Sequence, residues 1–398
     1  MPKKLVVIND LHPSELAGAA TIAHEFAVRA SLLIPTEYWY SSSKKMLKIP
    51  EENLETRIFQ LDIDHLEKKQ SKFLSKLWRE FFNLKSLVWF YLNLRRASPD
   101  IVWIHQIGNR FPRSIILTCW VLGIKPYVTA HDFGLVLPRK LFPRDLGFID
   151  NFRQLSLISA TKITCSLPTE RLKFKIFLFL RLKTQLYIYN NFTHLICISS
   201  MQSTILSGIG FKVDSIIENG LDKCKCKYSG AKEPRTMLFA GRSYGKGLAN
   251  LLESIRISNW HLYLAGGAEL ATIANEVLPK EKFTYLGSLT RRGVYEAIHR
   301  VSCVSVISEC FDVFPTILIE SLRHNTIAIA SESVGNSNLL SMIESKLIIP
   351  YNQIPNLTEL ELTLVDLYNR NPENEFDNEV STVEDSLQFY LSKFNLID

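Results

Sequence analysis

The 398-residue chain has no long apolar run, no internal repeat and no low-complexity segment. No stretch reaches the roughly 18 consecutive apolar residues that a membrane-spanning helix requires. The apolar run at Leu5–Ile8 is too short to form the apolar core of a signal peptide. We therefore expect a cytoplasmic protein without a transmembrane helix.

Cysteine is also scarce, with seven residues scattered along the chain. The count is odd, which argues against a complete set of disulfides. Cys224 and Cys226 are close together, but no second pair stands at the spacing of a zinc site. This pattern indicates reduced thiols, as in cytosolic proteins, and excludes a disulfide scaffold and a zinc module.

Charge is unevenly distributed. The chain has 46 Lys and Arg against 40 Asp and Glu, a net charge of +6. Residues 1–232 hold 33 of the basic and 19 of the acidic residues, so the first half is basic and the second acidic. A basic half suits nucleic acid, an anionic membrane surface or a phosphorylated substrate.

Short apolar runs alternate with longer helical stretches, which predicts parallel sheets with helical crossovers. The predicted strands are 5–8, 101–105, 127–130, 194–198, 215–218, 236–240, 262–265, 283–286, 304–307 and 326–330. The predicted helices are 17–30, 72–96, 114–122, 248–257, 290–299 and 316–323.

The polar stretch around residues 223–235 lies where the charge changes sign and has no apolar run. We interpret it as a boundary between two doubly wound α/β domains. The predicted division is a basic domain at 1–226, a linker at 227–235, a second domain at 236–371 and a tail at 372–398. The tail is predicted to be helical and to dock on one of the domains.

Ligands of open parallel sheets bind beyond the carboxyl ends of the strands, and unusual residues follow several strands here. Gly241–Gly247 is a glycine-rich turn before a helix, with Arg242 and Lys246. Free N–H groups and two cations in this pattern favour a diphosphate. An ordinary turn with solvated cations is the alternative, and the spacing is not that of a Walker A loop.

Four further positions are candidates for binding or catalysis. Asp312 lies in a loop and Glu320 follows on a helix, and carboxylates accept hydrogen bonds from sugar and ribose hydroxyls. A helix-start acid and a chance glutamate are the alternative. His131 ends a strand, where a structural histidine is the more common interpretation. Gly18 follows the first strand and would permit close approach of a ligand.

Taken in order, these segments resemble the retaining glycosyltransferases of family 4, which adopt the GT-B fold: two Rossmann-like domains facing a central cleft. The resemblance covers nearly the whole chain. It is carried by Pro99–His105 ("PDIVHxH"), Thr129–Asp132 ("TxHD"), Ile216–Asp222 ("VIPNGxD"), Phe239–Gly247 ("FVGR…KG") and Asp312–Glu320 ("E-x7-E").

The resemblance implies a transferase that retains anomeric configuration, needs no bound metal or cofactor, and takes a UDP- or GDP-type sugar donor. Arg242 and Lys246 would bind the diphosphate, Glu320 the ribose and Asp312 the sugar hydroxyls. His131 would lie beside the anomeric carbon. The remaining implied contacts are the backbone near Val313, Phe314, Pro315 and Thr316, and Gly18 between phosphate and acceptor.

Several positions depart from the family pattern, among them Glu218 in place of proline, and an inactive homologue is therefore a further alternative; both cations and both acids remain, which favours divergence over loss of activity. Asp312 replaces the usual glutamate, and the spacing from Arg242 to Lys246 is one residue short. A same-fold epimerase or phosphorylase is another alternative. A basic nucleic-acid-binding module is the non-enzyme alternative, but no such motif is present, so no nucleic-acid partner is predicted.

The first domain of this fold normally binds the acceptor. Its segments Leu172–Lys183 and Lys72–Arg96 combine cations with apolar residues, as an interfacial helix does. A core helix with a solvated basic face is the alternative. We expect peripheral attachment to the inner membrane leaflet and a glycan or polyprenyl-linked acceptor in surface polysaccharide biosynthesis.

Overall fold

The computed structural model describes residues 3–11, 18–42, 54–60, 84–108, 111–136, 142–143, 172–222, 231–241, 245–350, 353–370 and 380–397. The chain forms two compact units. The first unit contains Met1–Lys140, Leu146–Asn219 and Glu384–Asp398, and the second contains Leu141–Asp145 and Gly220–Val383.

The first unit is built on a parallel sheet with strand order β3-β2-β1-β4-β5-β7-β8. Its strands are rich in buried apolar and aromatic residues, as expected where helices cover both faces. They are β1 (Leu5–Asn9), β2 (Thr36–Ser42), β3 (Glu55–Gln60), β4 (Ile101–Gln106), β5 (Tyr127–Ala130), β7 (His194–Cys197) and β8 (Val213–Ile216). The two-residue strand β6 (Phe142–Pro143) belongs to the second unit.

Helices of the first unit follow its strands. Ser199 caps one of them by accepting a hydrogen bond from the Gln202 N–H, and Gly210 ends the same helix with φ of 110°. The helices are α1 (Gly18–Ser31), α2 (Leu84–Ala97), α3 (Ile115–Val121), α4 (Leu172–Phe192) and α5 (Ser200–Ile209).

The last helix of the chain completes the core of the first unit. Tyr390 on this helix is fully buried, with ring centroids 4.5 Å from Trp103 and 5.4 Å from Phe26. Phe394 lies 5.1 Å from Trp103 by the same measure. Numbered in chain order, this helix is α12 (Val383–Lys393), so a helix does form in the predicted tail.

The second unit has a six-stranded parallel sheet with order β11-β10-β9-β12-β14-β15. Its strands are β9 (Glu233–Gly241), β10 (His261–Gly266), β11 (Phe283–Gly287), β12 (Val301–Val306), β14 (Ala328–Ser331) and β15 (Ile348–Ile349). A separate antiparallel pair joins β13 (Cys310–Phe311) to β6. Residues 233–235, predicted as linker, are part of β9.

The helices of the second unit alternate with these strands. They are α6 (Leu248–Arg256), α7 (Glu269–Val277), α8 (Arg291–Arg300), α9 (Thr316–Arg323), α10 (Asn338–Ile343) and α11 (Leu357–Arg370). Short 3-10 turns occupy Lys280–Lys282 and Ser345–Leu347. Two parallel sheets with alternating helices confirm the predicted α/β class.

Within the described part of the chain, no helix is both long enough and apolar enough to cross a membrane.

Candidate functional site

The strand order of the second unit's sheet reverses between β9 and β12. From β9 the chain adds β10 and β11 on one side, and from β12 it adds β14 and β15 on the other. β9 and β12 are hydrogen-bonded neighbours, with Phe239 opposite Ser305. A reversal of this kind opens a crevice at the carboxyl ends of the two strands, which is where open α/β sheets bind ligands.

The turn after β9 is held against the end of β12 by glycine. Gly247 precedes α6 with φ of 72°, and a Cβ atom there would fall 1.7 Å from the Ile307 carbonyl oxygen. Gly245 also has a positive φ of 69°, and its carbonyl oxygen accepts a hydrogen bond from the Glu309 N–H at 3.0 Å. The glycines therefore fix the backbone on both sides of Lys246.

Lys246 reaches across the strand reversal to Asp312. The Lys246 ammonium and an Asp312 carboxylate oxygen form an ion pair, and the Ser308 hydroxyl donates to the same oxygen at 3.1 Å. The Lys246 side chain is 30% exposed and that of Asp312 is 15% exposed. The structure thus brings together two residues that the sequence named separately, and leaves both within reach of a ligand.

The backbone of Asp312 is fixed independently of its side chain. Its N–H donates to the Ser333 carbonyl oxygen at 3.0 Å, and its carbonyl accepts from the Gly335 N–H at 2.7 Å. The Ser333 hydroxyl in turn donates to the Ser308 carbonyl at 2.6 Å. These bonds hold the carboxylate in place at the crevice.

The loop after Asp312 leads directly into α9. Val313 and Phe314 turn their side chains into the core, and Pro315 caps the helix with φ of −66°. Thr316 is the first residue of α9, so the first N–H groups of the helix lie in this loop region. A helix N-terminus favours an anion.

Glu320 lies one turn into α9 and is half-buried. Desolvation raises the pKa of its carboxyl group, and the positive charge of Arg291 opposes this shift. Among the described residues, no hydrogen bond joins Glu320 to Lys246 or Asp312. Arg291 was not predicted as a site residue, and it begins α8 with its Nε donating to the Tyr295 hydroxyl at 2.5 Å.

Arg242, predicted beside Lys246, lies in residues 242–244, outside the described residues. Gly18 is the first residue of α1, and a Cβ atom there would meet nothing within 4 Å. Among the described residues no packing constraint explains this glycine, and its predicted role near a ligand stays a prediction. In the described part of the chain, no group of three or more His, Cys, Asp or Glu side chains is placed to hold a metal ion.

His131 lies at the corresponding edge of the first unit. The strand order there reverses between β1 and β4, and His131 directly follows β5, the next strand along. Its Nε2 atom is 2.8 Å from Nδ1 of His105, and the two rings stack with centroids 5.1 Å apart. Burial, and secondarily His131, lower the pKa of His105 well below its ordinary range.

His105 was part of the predicted strand but was not predicted to contact His131. A neutral His105 has one N–H and one lone pair, so its hydrogen bond with His131 couples the tautomers of the two rings. The sequence signal for this contact is that His105 lies near the end of β4 and His131 directly after β5. Neighbouring parallel strands end at the same edge of a sheet, so the two side chains are expected to lie close together.

The two-sheet α/β fold matches that of solved glycosyltransferase structures of the GT-B class. Residues 225–373 of the chain match the family model of glycosyl transferases group 1. No curated protein sequence matches this chain.

Several solved structures are similar over almost their entire length. HepE of Anabaena in complex with UDP and glucose has a TM-score of 0.68 at 12% identity, covering 99% of this chain and 100% of that chain. Sucrose-phosphate synthase of Thermosynechococcus elongatus has a TM-score of 0.70 at 15% identity, covering 99% and 100%. A glycosyltransferase of Rickettsia africae has a TM-score of 0.66 at 12% identity, covering 99% and 98%.

Proposed function

We propose that this protein is a retaining glycosyltransferase that uses a nucleotide-diphosphate sugar of the UDP or GDP type. The observation that carries the proposal is the Lys246–Asp312 pair, which spans the strand reversal of the second unit. The family match over residues 225–373 supports it, and the structural likeness to HepE with UDP bound is consistent with it. The acceptor we propose is a glycan or a polyprenyl-linked glycan of surface polysaccharide biosynthesis.

Lys246 is proposed to bind the donor diphosphate and to stabilise its negative charge as the bond to the sugar breaks. In the structure its charge is compensated by Asp312. A diphosphate would take over Lys246, since a phosphate oxygen carries more charge than a shared carboxylate oxygen. Asp312 would then be released to accept hydrogen bonds from sugar hydroxyls, and the lysine charge would replace a metal ion in this role.

Glu320 is proposed to bind the ribose hydroxyls. The raised pKa of its half-buried carboxyl group indicates a poorly solvated position, where hydroxyl donors would stabilise the carboxylate. The backbone N–H groups around Thr316, at the start of the same helix, are proposed to contact phosphate or sugar.

His131 is proposed to position the donor sugar near its anomeric carbon. Its hydrogen bond with His105 restricts the orientation of the imidazole, and His105 is itself packed against Trp103 with ring centroids 4.3 Å apart. Such positioning lowers the entropy cost of reaching the transition state.

The test is calorimetric titration of the full chain with UDP, GDP and ADP, repeated on Lys246→Ala and Glu320→Ala. We expect one nucleotide to bind and both substitutions to weaken it by about tenfold or more, since each removes a charged hydrogen-bonding group. Absence of nucleotide binding by the wild-type protein would contradict the proposal. A melting-temperature increase with an oligonucleotide but not with a nucleotide would favour the nucleic-acid alternative instead.

We also propose that the first unit attaches to an anionic membrane surface through α2 and α3. A groove of about 350 Å³ lies between these helices, lined by apolar side chains that include Val88, Leu92 and Val121. These three are exposed, and Lys85, Arg95 and Arg96 on α2 are exposed as well. Apolar surface next to cations suits insertion at the lipid headgroup level.

The prediction for Leu172–Lys183 is wrong at one position. Arg181, counted there among the membrane-facing cations, is 2% exposed, because this side of α4 packs into the core with Leu178, Leu182 and Gln185. Lys183 and Leu180 on the same helix remain exposed. Residues 72–83 of the segment Lys72–Arg96 lie outside the described residues.

Co-sedimentation with vesicles of phosphatidylglycerol and phosphatidylcholine tests the membrane proposal. Val88→Asp should reduce binding severalfold at low salt, because it places a charge in the apolar groove next to the lipid. Leu32→Asp is the matched control, since Leu32 is also exposed but lies after α1. Equal binding of both variants, or no binding by the wild-type protein, would overturn this part.

A further inference from the structure

Lys232 lies at the amino-terminal edge of the second unit's sheet, away from the crevice at the carboxyl ends of β9 and β12. It directly precedes β9. The segments that surround it precede β12 and β14, which follow β9 in the order of the sheet. The side chain of Lys232 is half-buried. The proposed sugar transfer does not use this lysine.

The hydrogen-bond acceptor of the Lys232 amine is a neutral group. Its Nζ atom donates to Oγ1 of Thr326, a fully buried residue whose own hydroxyl donates to the Ile298 carbonyl oxygen at 2.9 Å. The adjacent carboxylate of Glu233 is paired with Arg300 Nε at 2.7 Å. Among the residues that the structure describes, no carboxylate forms an ion pair with Lys232.

Three titratable side chains face this amine from the elements packed around it. They are His299 on α8, His324 after α9 and the fully buried thiol of Cys303 in β12. Nε2 of His299 lies 2.8 Å from Nδ1 of His324, and the positive charge of Lys232 opposes protonation of both rings. Burial lowers the pKa of Lys232 to about 8, and the Cys303 thiol only partly opposes this shift.

The uncharged form of a lysine amine is a nucleophile, whereas the ammonium form is not. At pH 8 about half of the Lys232 side chains are uncharged, against fewer than about 1% for a lysine of ordinary pKa. The half-buried position restricts the reagent, because a large or strongly hydrated electrophile would have to displace the surrounding side chains. Carbon dioxide is small and uncharged, so it meets both conditions.

We propose that Lys232 is a site of reversible carbamate formation with carbon dioxide. The Nζ lone pair attacks the carbon atom of carbon dioxide and forms an N–C bond. One pair of C–O π electrons moves onto oxygen, and the nitrogen releases one proton to solvent. The N–H group that remains can still donate to Thr326. The carbamate site is independent of the proposed sugar transfer.

A carbamate reverses the sign of the charge that faces the two histidines. The Lys232 ammonium opposes protonation of His299 and His324, whereas a carbamate would favour it, since opposite charges attract. Protonation of either ring would in turn stabilise the carbamate. The second unit would thus respond to carbon dioxide at a place remote from its donor crevice.

The experiment is carbon-13 NMR of the full chain at pH 8 in carbon-13-labelled bicarbonate, which is in equilibrium with carbon dioxide. The α-amino group at the start of the expressed chain has an ordinary pKa of about 7.7–8.0, so it also forms a carbamate. We therefore expect two carbamate signals. Ethylation with triethyloxonium traps both carbamates, and peptide mass spectrometry then locates them.

The exposed lysines of the same chain are internal controls for the trapping reaction. Lys125, Lys212 and Lys280 are all exposed. The trapped adduct should be at least severalfold more abundant at Lys232 than at any of these three. If it is no more abundant at Lys232, or absent there, the proposal is wrong. This comparison uses the wild-type protein and does not depend on the folding of a variant.

A pair of variants assigns the NMR signal. Lys232→Arg keeps the positive charge but removes the nucleophile, so one of the two carbamate signals should disappear. Lys280→Arg is the matched control and should retain both signals. Identical spectra for Lys232→Arg and the wild-type protein would overturn the proposal. UDP titration of Lys232→Arg should match the wild-type protein, so failure of the donor site and failure of the carbamate site are measured separately.

Discussion

Lys246 and Asp312 form an ion pair between the turn after β9 and the loop after β12, although 66 positions separate them in the chain. The pair occupies the place where the sheet reverses its strand order. A ligand that binds Lys246 therefore competes with the Asp312 carboxylate, and a ligand that binds Asp312 competes with the Lys246 ammonium.

Asp312→Asn and Lys246→Ala should change nucleotide binding in opposite directions. Without the carboxylate charge, Lys246 is free for a diphosphate, so we expect Asp312→Asn to bind UDP or GDP at least as tightly as the wild type. The rate of sugar transfer should nevertheless fall by tenfold or more, because an amide accepts hydrogen bonds from the sugar hydroxyls less strongly than a carboxylate does. Calorimetry and a transfer assay measure the two effects, and weaker nucleotide binding in Asp312→Asn would contradict the proposed exchange of partners.

Gly247→Ala should destabilise the second unit by about 2–4 kcal/mol, the combined cost of a left-handed φ and an overpacked contact. The added methyl would fall 1.7 Å from the Ile307 oxygen. Gly287→Ala is the matched control, since Gly287 has nearly the same φ, 73°, with nothing within 4 Å of the added carbon. Denaturant unfolding should show the larger loss for Gly247→Ala. Equal losses of unfolding free energy in the two variants would mean that the positive φ accounts for the cost at both glycines and that the contact with Ile307 adds nothing.

A contact between two histidines should make the second unit sensitive to acid. His299 Nε2 lies 2.8 Å from His324 Nδ1, and burial lowers the pKa of each to about 4. The positive charge of Lys232 opposes protonation of both, and Arg291 also opposes protonation of His324. Between the ordinary histidine pKa of about 6.5 and pH 4, the two histidines bind protons in the unfolded chain but not in the folded unit. The free energy of unfolding therefore falls as the pH is lowered through this range.

His299→Gln should reduce this acid sensitivity, because glutamine keeps a hydrogen-bonding group and does not titrate. The melting temperature, measured from pH 8 to pH 4, should fall less steeply than in the wild-type protein below pH 6.5. His194→Gln, a histidine substitution in the first unit, is the control that leaves the contact between His299 and His324 in place. If the melting temperature depends on pH in the same way in all three proteins, the contact between His299 and His324 does not contribute to the acid sensitivity.

The last helix should contribute strongly to the stability of the first unit. Tyr390→Ala should cost about 3–5 kcal/mol, the usual range for removing a large buried aromatic side chain. Phe389 is 65% exposed whereas Tyr390 is fully buried, so Phe389→Ala should change stability by less than about 0.5 kcal/mol. Chemical unfolding measures both, and similar effects at the two neighbours would refute the packing described for α12.

Most of the fold could be predicted from sequence pattern. All ten strands predicted from apolar runs occur, with ends shifted by up to three residues. The strands at Thr36–Ser42 and Glu55–Gln60 were missed, because polar residues such as Glu37 and Arg57 interrupt their apolar pattern. These two residues pair with each other at 2.6 Å, a long-range contact that a local pattern cannot reveal.

The candidate site was less predictable. Lys246, Asp312 and His131 could be predicted as site residues because each lies in a segment that follows a strand. Open parallel sheets bind ligands beyond the carboxyl ends of their strands. Their partners were not identified, because contacts between neighbouring loops depend on strand order. Arg181 shows the limit most clearly: the pattern of α4 around it was interpreted as a basic surface, and the packed helix turns it inward.

The burial of Tyr390 has a consequence for synthesis on the ribosome. The core around Trp103 is completed by a helix that begins at Val383, after the strands and helices of the second unit have been made. At about 5–20 residues per second, some tens of seconds separate the translation of Trp103 from that of Tyr390. During this interval the nascent first unit exposes aromatic surface that α12 has yet to cover, so its core is completed only after Tyr390 has been translated.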